Sequence, residues 1–419
     1  MQKSKSIKLG VIADDFTGAS DAASFLSKSC VNTLMFTSIP KSLDYDCDAI
    51  VIALKSRSVS PDVAVSMTKE AVDFFNHIGC EKIYFKYCST FDSTPKGNIG
   101  VVLDFLLEYL AQTYTIICPS LPVNGRTVKD GFLYVDGIKL SDSPMKNHPL
   151  NPMWSSYIPT LMKDQSQFPC YVLSQEDMEK NMLEVKINDI SSKHQKFYLI
   201  PDYVSDADGQ LIAKRFKHLS LLSGGSALLE HIFDKNEFKR IVSSGQNLKN
   251  YRSIILCGSC SKATKKQIER YKATGGMVYK VDSRKLLNGY LKVDDIFEYI
   301  RDQNKTVLVY SSAIDEDMSS LKKSPTFEIE SDLIENMMAK LATMAIENNF
   351  NNIVVAGGET SGAVTLRLGF DGFFIGESIA PGVPVLTPLK NDDIRLILKS
   401  GNFGSEDFFL KAIGEKYDE

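Results

Sequence analysis

The chain has 419 residues, 43% of them hydrophobic and 24% charged, with a formal net charge of −4 at pH 7. At roughly 100–200 residues per domain this length suits two or three globular domains. No basic excess points to nucleic acid or an anionic membrane as partner, and no apolar run approaches the roughly 18 residues of a transmembrane helix.

The N-terminus reads MQKSKSIKLGVIADD. Asp14 and Asp15 interrupt its short apolar stretch and no cleavage-site pattern follows, so it reads as a buried first strand and not as a signal peptide. That reading places the protein in the cytoplasm. Strands are expected over 7–13, 49–54, 83–87, 113–118, 197–200, 253–257, 277–281, 306–310, 353–356 and 394–398. Helices are expected between them, over 19–28, 63–78, 99–111, 208–218, 262–273, 295–301 and 332–347. Near-continuous apolar strands alternating with helices indicate parallel sheets covered on both faces. The polar stretch 243–252 separates two such series, giving domains over 1–245 and 250–419. The fold expected is α/β, two largely parallel sheets flanked by helices, with the ligand site in the cleft between domains. Residues 119–160 are poor in regular pattern and read as a long functional loop.

Eight cysteines are spread along the chain, and only Cys257 and Cys260 form a C-x-x-C. No second pair completes a zinc site, and the ordinary reading is a reduced thiol.

Several segments concentrate polar chemistry. In G-V-I-A-D-D-F-T-G-A-S-D (10–21) a buried strand ends on Asp14 and Asp15 before a Thr-Gly turn opens a helix. Ligands of open α/β sheets bind outside the carboxyl ends of strands. One carboxylate suffices to cap a helix, so the second asks for another purpose. The segment F-K-Y-C-S-T-F-D-S-T-P-K-G-N-I-G (85–100) crowds Lys86, Ser89, Thr90, Asp92, Lys96 and Asn98 together. Its hydroxyls and amide suit a polyhydroxy ligand, and its lysines suit a carboxylate. Arg126 in C-P-S-L-P-V-N-G-R-T can hold a carboxylate bidentately, while His148 reads mainly as a loop hydrogen-bonding residue. In the second half G-S-C-S-K (258–262), A-G-G-E-T-S-G (356–362) and K-S-G-N-F-G (399–404) each follow a strand. Glycine-rich turns into helix N-termini suit a nucleotide phosphate. No Walker A motif, protein-kinase catalytic loop, dinucleotide fingerprint or nucleophile elbow is present.

With ADDFTGASDAA, KYCSTFDSTPKGNIG, PSLPVNGRT, GSCSKAT, GGETSGAV, APGVPV and LKSGNFGSEDFF in order along nearly the whole chain, the sequence resembles the four-carbon acid sugar kinase family. Within it the motifs are more similar to 3-oxo-tetronate 4-kinases than to threonate kinases. The resemblance implies an acid-sugar domain followed by a nucleotide domain, with ATP and Mg²⁺ as cofactors. It implies ATP contacts at Ser259, Gly357, Gly358, Glu359, Thr360, Ser361 and Gly401. Acid-sugar contacts are implied around Asp14, Asp15, Lys86, Ser89, Asp92 and Arg126, with Asp15 or Asp14 as catalytic base and the metal ligands unassigned. Lys96 stands where many relatives carry Arg, and Val385 where many carry an aromatic residue. The expected partners are a small sugar acid and ATP, with neither nucleic acid nor membrane, and a homodimer left open. The rival readings are a threonate or erythronate kinase, a non-catalytic sugar-acid binding protein, and a dehydrogenase, the last disfavoured by the missing dinucleotide fingerprint.

Overall fold

The structure, a computed structural model, describes residues 6–147, 151–234, 237–238, 251–259, 261–311 and 326–414. The chain divides into two compact units, residues 1–240 and 241–419. Most of the expected separating stretch, together with His148 and Cys260, lies outside the described residues.

The first unit carries strands β1 (Leu9–Ala13), β2 (Thr33–Phe36), β3 (Ala49–Ala53), β4 (Ile83–Lys86), β5 (Tyr114–Ile116), β6 (Arg126–Lys129), β7 (Phe132–Val135), β8 (Ile138–Lys139), β9 (Cys170–Leu173), β10 (Phe197–Pro201) and β11 (Leu221–Gly224). Its helices are α1 (Phe16–Lys28), α2 (Pro61–His77), α3 (Ile99–Tyr109), α4 (Ile158–Lys163), α5 (Lys180–Lys193) and α6 (Asp206–Phe216). The main sheet runs β11-β4-β1-β3-β2 and is parallel throughout. β1 and β3 are buried at every position, which explains why they read as apolar runs without alternation. β1 pairs with β3 on one side and β4 on the other, so the chain reverses its direction of winding there. Such a reversal opens a crevice beyond the carboxyl ends of the two central strands. Asp15 starts α1 by accepting the Gly18 N–H at 2.6 Å.

A second parallel sheet, β5-β10-β9, lies in the same unit. Residues 119–160 are more regular than their sequence suggested. They hold the antiparallel sheet β6-β7-β8, turned by Asp130-Gly131 and Asp136-Gly137 with all four φ angles positive. Two-residue Asp-Gly turns of that conformation match the twist of a hairpin.

The second unit carries β12 (Ser253–Cys257), β13 (Met277–Val281), β14 (Val307–Ser311), β15 (Asn352–Ala356), β16 (Gly372–Ala380), β17 (Val383–Pro388) and β18 (Arg395–Lys399). Its described helices are α7 (Lys262–Ala273), α8 (Ser283–Leu287), α9 (Val293–Arg301), α10 (Phe327–Glu347), α11 (Gly358–Leu368) and α12 (Phe408–Ile413). The sheet runs β16-β17-β18-β15-β12-β14-β13. It is parallel from β18 to β13 and antiparallel at β16-β17-β18. Here too the winding reverses, between β12 and β15, so the loops after β12, β15 and β18 emerge side by side.

Packing against the first sheet is tight enough to dictate residue size. Gly10 on β1 lies under the Phe75 ring of α2, and a Cβ there would stand 2.7 Å from ring carbons. Overpacking of this kind costs about 1–3 kcal/mol. Gly10→Ala is therefore expected to lower the urea midpoint by that much stability without changing the denaturant slope. An unshifted midpoint would show that Phe75 moves aside freely.

Candidate active site

In the first unit, three strand ends deliver charge to one place. β1 ends at Asp14 and Asp15, β4 ends at Lys86, and the segment after β3 brings Arg57. The backbone fixes this meeting: Ser56 and Arg57 donate their N–H groups to the Asp14 carbonyl at 3.1 and 3.2 Å, and Asp14 donates to the Lys86 carbonyl at 3.1 Å. Asn98 then ties down the segment that carries Arg57. Its Nδ2 donates to the carbonyls of Ser56 at 2.7 Å, Val59 at 2.9 Å and Arg57 at 3.3 Å.

Arg57 forks onto Asp14, with Nη2 to Oδ1 at 2.8 Å and Nε to Oδ2 at 2.9 Å. Its Nη1 reaches Asp15 Oδ2 at 2.9 Å and Asp92 Oδ2 at 3.5 Å. Asp92 sits in a left-handed turn, φ 62° at Phe91 and 42° at Asp92, and its Oδ1 accepts from Asn151 Nδ2 at 3.0 Å. Burial raises the Asp14 carboxyl above its ordinary value, against the opposing charge and hydrogen bonds of Arg57. Burial also works against the charge on Arg57, yet Asp14 and Asp15 hold its proton more firmly than usual. The two neighbouring aspartates are not equivalent: the Asp14 side chain is 7% exposed and the Asp15 side chain 31%. Of the two carboxylates, that of Asp15 is the more exposed.

Lys86 is buried and donates to the Tyr87 carbonyl at 2.9 Å. Its Nζ stands 3.8 Å from Asp21 Oδ2, which accepts from Ser226 Oγ at 2.6 Å. Burial raises the Asp21 carboxyl as well.

In the second unit, Gly258 and Ser259 both donate to the Ala356 carbonyl at 3.1 Å, and Gly357 donates to the Lys399 carbonyl at 3.0 Å. These bonds lace the ends of β12, β15 and β18 together. Gly357 has φ +133°, and a Cβ there would stand 2.9 Å from Thr360 Oγ1 and 3.1 Å from the Ser259 nitrogen. Only glycine fits this turn into α11. A Cβ at Gly401 would meet Ser259 Oγ at 2.4 Å. Gly358 and Glu359 face solvent at the first turn of α11, with Thr360 and Ser361 buried behind them. The Ser361 hydroxyl is buried and has no hydrogen-bond partner among the described residues. Loops of this form present N–H groups and hydroxyls to an anion.

The structure thus gathers Asp14, Asp15, Asp92 and Lys86 in one unit, with Ser89 half-buried in the turn that leads to Asp92. Ser259, Gly357, Gly358, Glu359, Thr360, Ser361 and Gly401 gather in the other. Arg126 is placed differently: at the start of β6, it turns its guanidinium onto the Asn124 carbonyl of its own tight turn. Asn98, whose amide suited a polyhydroxy ligand, engages the chain instead. Cys257 is a buried free thiol pushed up to about 12 by burial, poorly suited to redox exchange. Arg57 and Asp21 went unremarked in the sequence. The available signal for Arg57 was a basic residue just beyond the buried strand expected over 49–54.

Residues 9–232 match the family model of a sugar-binding N-terminal domain, and residues 254–409 that of a nucleotide-binding C-terminal domain. The chain belongs to the four-carbon acid sugar kinase family. Its relatives include a Haemophilus influenzae protein named 3-oxo-tetronate kinase, 38% identical over 97% of this chain and 99% of that one. An Actinobacillus succinogenes protein of the same name is 39% identical over the same shares. A crystal structure from Salmonella typhimurium, solved under the description of a tRNA synthase, is 35% identical with a TM-score of 0.86, covering 97% of this chain and 98% of that one. A Haemophilus influenzae crystal structure is 37% identical with a TM-score of 0.77, covering 97% and 99%. In this member of the family, the sugar-binding match contains the Arg57 network and the nucleotide-binding match contains the three laced loops. Among the described residues no helix is long and apolar enough to cross a membrane.

Removing one partner from a buried ion pair costs about 3–5 kcal/mol. Arg57→Gln is expected to destabilise the first unit on that scale, and Arg57→Lys to recover only part, because an ammonium cannot fork. The Asp14 carboxyl already lies above its ordinary value and would rise further without Arg57. The penalty should then be larger at pH 8, where Asp14 must stay ionised and unpaired, than at pH 5, where it can take up a proton. Urea unfolding at the two pH values measures this; equal penalties would mean that Asp14 does not depend on Arg57.

Proposed function

We propose that the protein transfers the terminal phosphoryl group of ATP to the C4 hydroxyl of a four-carbon sugar acid, 3-oxo-tetronate, giving 3-oxo-tetronate 4-phosphate and ADP. The observation that carries this reading is the near-full-length identity of 35–39% to proteins named 3-oxo-tetronate kinase. The geometry supports it. One unit holds a reachable carboxylate backed by a fixed guanidinium, and the other holds phosphate-shaped loops.

In the proposed reaction the C4 oxygen attacks the γ-phosphorus. The new O–P bond forms as the bond to the β,γ-bridging oxygen breaks, ADP leaves, and the hydroxyl proton passes to Asp15. Asp14 is the orienting partner, since both its oxygens are held by Arg57. Lys86, with Ser89, Asp92 and Arg126, is proposed to bind the sugar acid. Ser259, Gly357, Gly358, Glu359, Thr360, Ser361 and Gly401 are proposed to bind ATP. Such catalysis rests mainly on positioning and charge neutralisation. Among the described residues no group of three or more potential ligands could hold a metal by itself. Mg²⁺ would be held largely by phosphate oxygens and water, where it would neutralise phosphate charge. A kinase works where ATP is kept, so the cytoplasm is its proposed compartment.

A coupled assay for ADP release across tetronate acids tests the assignment, with 3-oxo-tetronate expected to give the highest kcat/KM. Equal or higher kcat/KM on threonate would move the assignment to a threonate kinase, and no ADP release on any acid would leave a binding protein. Asp15→Asn keeps size and polarity while removing the proton acceptor. It should lower kcat by about 10²–10⁴-fold with little change in the KM for the acid. Near-full kcat in that variant would remove Asp15 as the base.

A further inference from the structure

Lys399 closes β18 and is fully buried, at 0% exposure. Its ammonium donates to Thr264 Oγ1 at 3.0 Å, to the Gly401 carbonyl at 2.9 Å and to the Ser400 carbonyl at 3.3 Å. All three partners are neutral. Buried charges are ordinarily paired with an opposite charge or a metal. Among the described residues Lys399 has no carboxylate partner.

Among the described residues, the elements packed around it bring no opposite charge. From β12 the facing titratable group is the Cys257 thiol, which burial pushes up to about 12 and so leaves uncharged. From α7 it meets Thr264, while Lys262, Lys265 and Lys266 are solvent-exposed. From α11 Thr360 and Ser361 are buried, whereas Glu359 and Arg367 are exposed. From α12 comes the Phe408 ring, centroid 5.7 Å from Nζ; Lys411 there is exposed and Asp407, just before it, pairs with Arg270. The neighbouring strands β15 and β17 bring no ionisable side chain. Burial lowers the Lys399 ammonium to about 8.

The same lysine organises the loop argued to meet the nucleotide. The Gly401 carbonyl accepts from Lys399 Nζ, from Ser261 Oγ at 2.5 Å and from Thr264 Oγ1 at 2.9 Å. Three donors on one carbonyl turn that oxygen inward, and they fix the backbone that lies against Ser259. Among the described residues this buried cation faces only neutral groups and has no counter-charge.

We propose that Lys399 is a positioning residue of the nucleotide site whose missing counter-charge is supplied by the phosphates of the bound nucleotide, so that nucleotide binding draws a proton onto the protein. This rests on the reading of the second unit as the ATP site.

The sign follows from linkage. Above pH 8 the free protein holds Lys399 largely neutral, while the nucleotide-bound protein holds it charged. Binding then takes up a proton, and affinity falls as pH rises. If the bound lysine regains its ordinary value, the Kd for ADP should weaken about tenfold between pH 7 and pH 9.

The experiment is calorimetric titration of the full-length protein with ADP, without acid substrate, from pH 7 to pH 9 in buffers of differing ionisation enthalpy. Expected are uptake approaching one proton near pH 9 and a matching loss of affinity. Lys399→Arg, which stays charged throughout, should bind ADP with a flat pH profile and no uptake. A purely structural lysine would leave the wild-type profile flat. ADP binding with neither uptake nor pH dependence overturns the proposal and leaves the nucleotide reading intact. No ADP binding at any pH overturns the nucleotide reading and the proposal with it. Unchanged uptake in a folded Lys399→Arg protein assigns the proton to another group and likewise overturns it.

Discussion

The first unit depends on one guanidinium. Arg57 bridges Asp14, Asp15 and Asp92, which come from the turn after β1 and the turn before α3. Two unit charges 4 Å apart interact by about 4 kcal/mol at the effective dielectric of a protein surface. Carboxylates on adjacent residues would repel on that scale and splay apart without a shared cation. The fork on Asp14 leaves Nη1 to reach the other two. Asn98 in turn fixes the segment bearing Arg57 through three backbone carbonyls. The order of dependence therefore runs from Asn98 to Arg57 to the aspartates. The residue closest to the proposed chemistry is the last to be positioned.

The second unit reaches a comparable rigidity by other means. Its loops are laced by backbone N–H groups and by hydroxyls of Ser261 and Thr264, with glycine wherever backbones approach too closely for a Cβ. The contrast in charge matches the proposed ligands. A triphosphate is already anionic and asks for N–H donors and a cation behind them. A hydroxyl that must lose a proton asks for a carboxylate. The first unit gathers Asp14, Asp15, Asp21 and Asp92 against Arg57 and Lys86, and burial raises Asp14 and Asp21 toward their neutral forms. That tendency reduces the negative charge an acidic substrate would otherwise meet.

Much of the fold was legible because buried parallel strands leave an unmistakable trace. β1, β3, β12, β15 and β18 are continuous apolar runs, and each was located to within a residue or two. β2 and β11 were not among the expected strands: each is four residues long and follows closely on a helix, α1 or α6. The turn at 356–362 was read as opening into a helix, but no range was assigned to α11, which opens with Gly-Glu-Thr-Ser-Gly of poor helical propensity. Its formation depends on the Gly357 turn and on packing against α10. The hairpins in 119–160 were legible and overlooked, because Asp-Gly twice between apolar pairs is a strong short-range turn signal. Site residues lying in the motifs were found, whereas Arg57 was not. Its partners lie 43, 42 and 35 positions away, and pairing across that separation is set by strand order, which periodicity does not reveal.

Both units place a more exposed group in front of a less exposed charged one. Asp15, its side chain 31% exposed, is held by Arg57, whose other contacts are with the buried Asp14 and with Asp92. The Gly401 loop is half-buried and is held by Lys399, which is wholly enclosed. A charge in water costs little to place but fixes nothing, because its solvation shell competes with every partner. A buried charge is costly, and its few hydrogen bonds become directional constraints on whatever lies in front. Arg57 finds its counter-charge within its own unit and needs no ligand to complete it. Lys399 finds only neutral oxygens among the described residues, so the second unit is the one whose electrostatics are finished by what it binds.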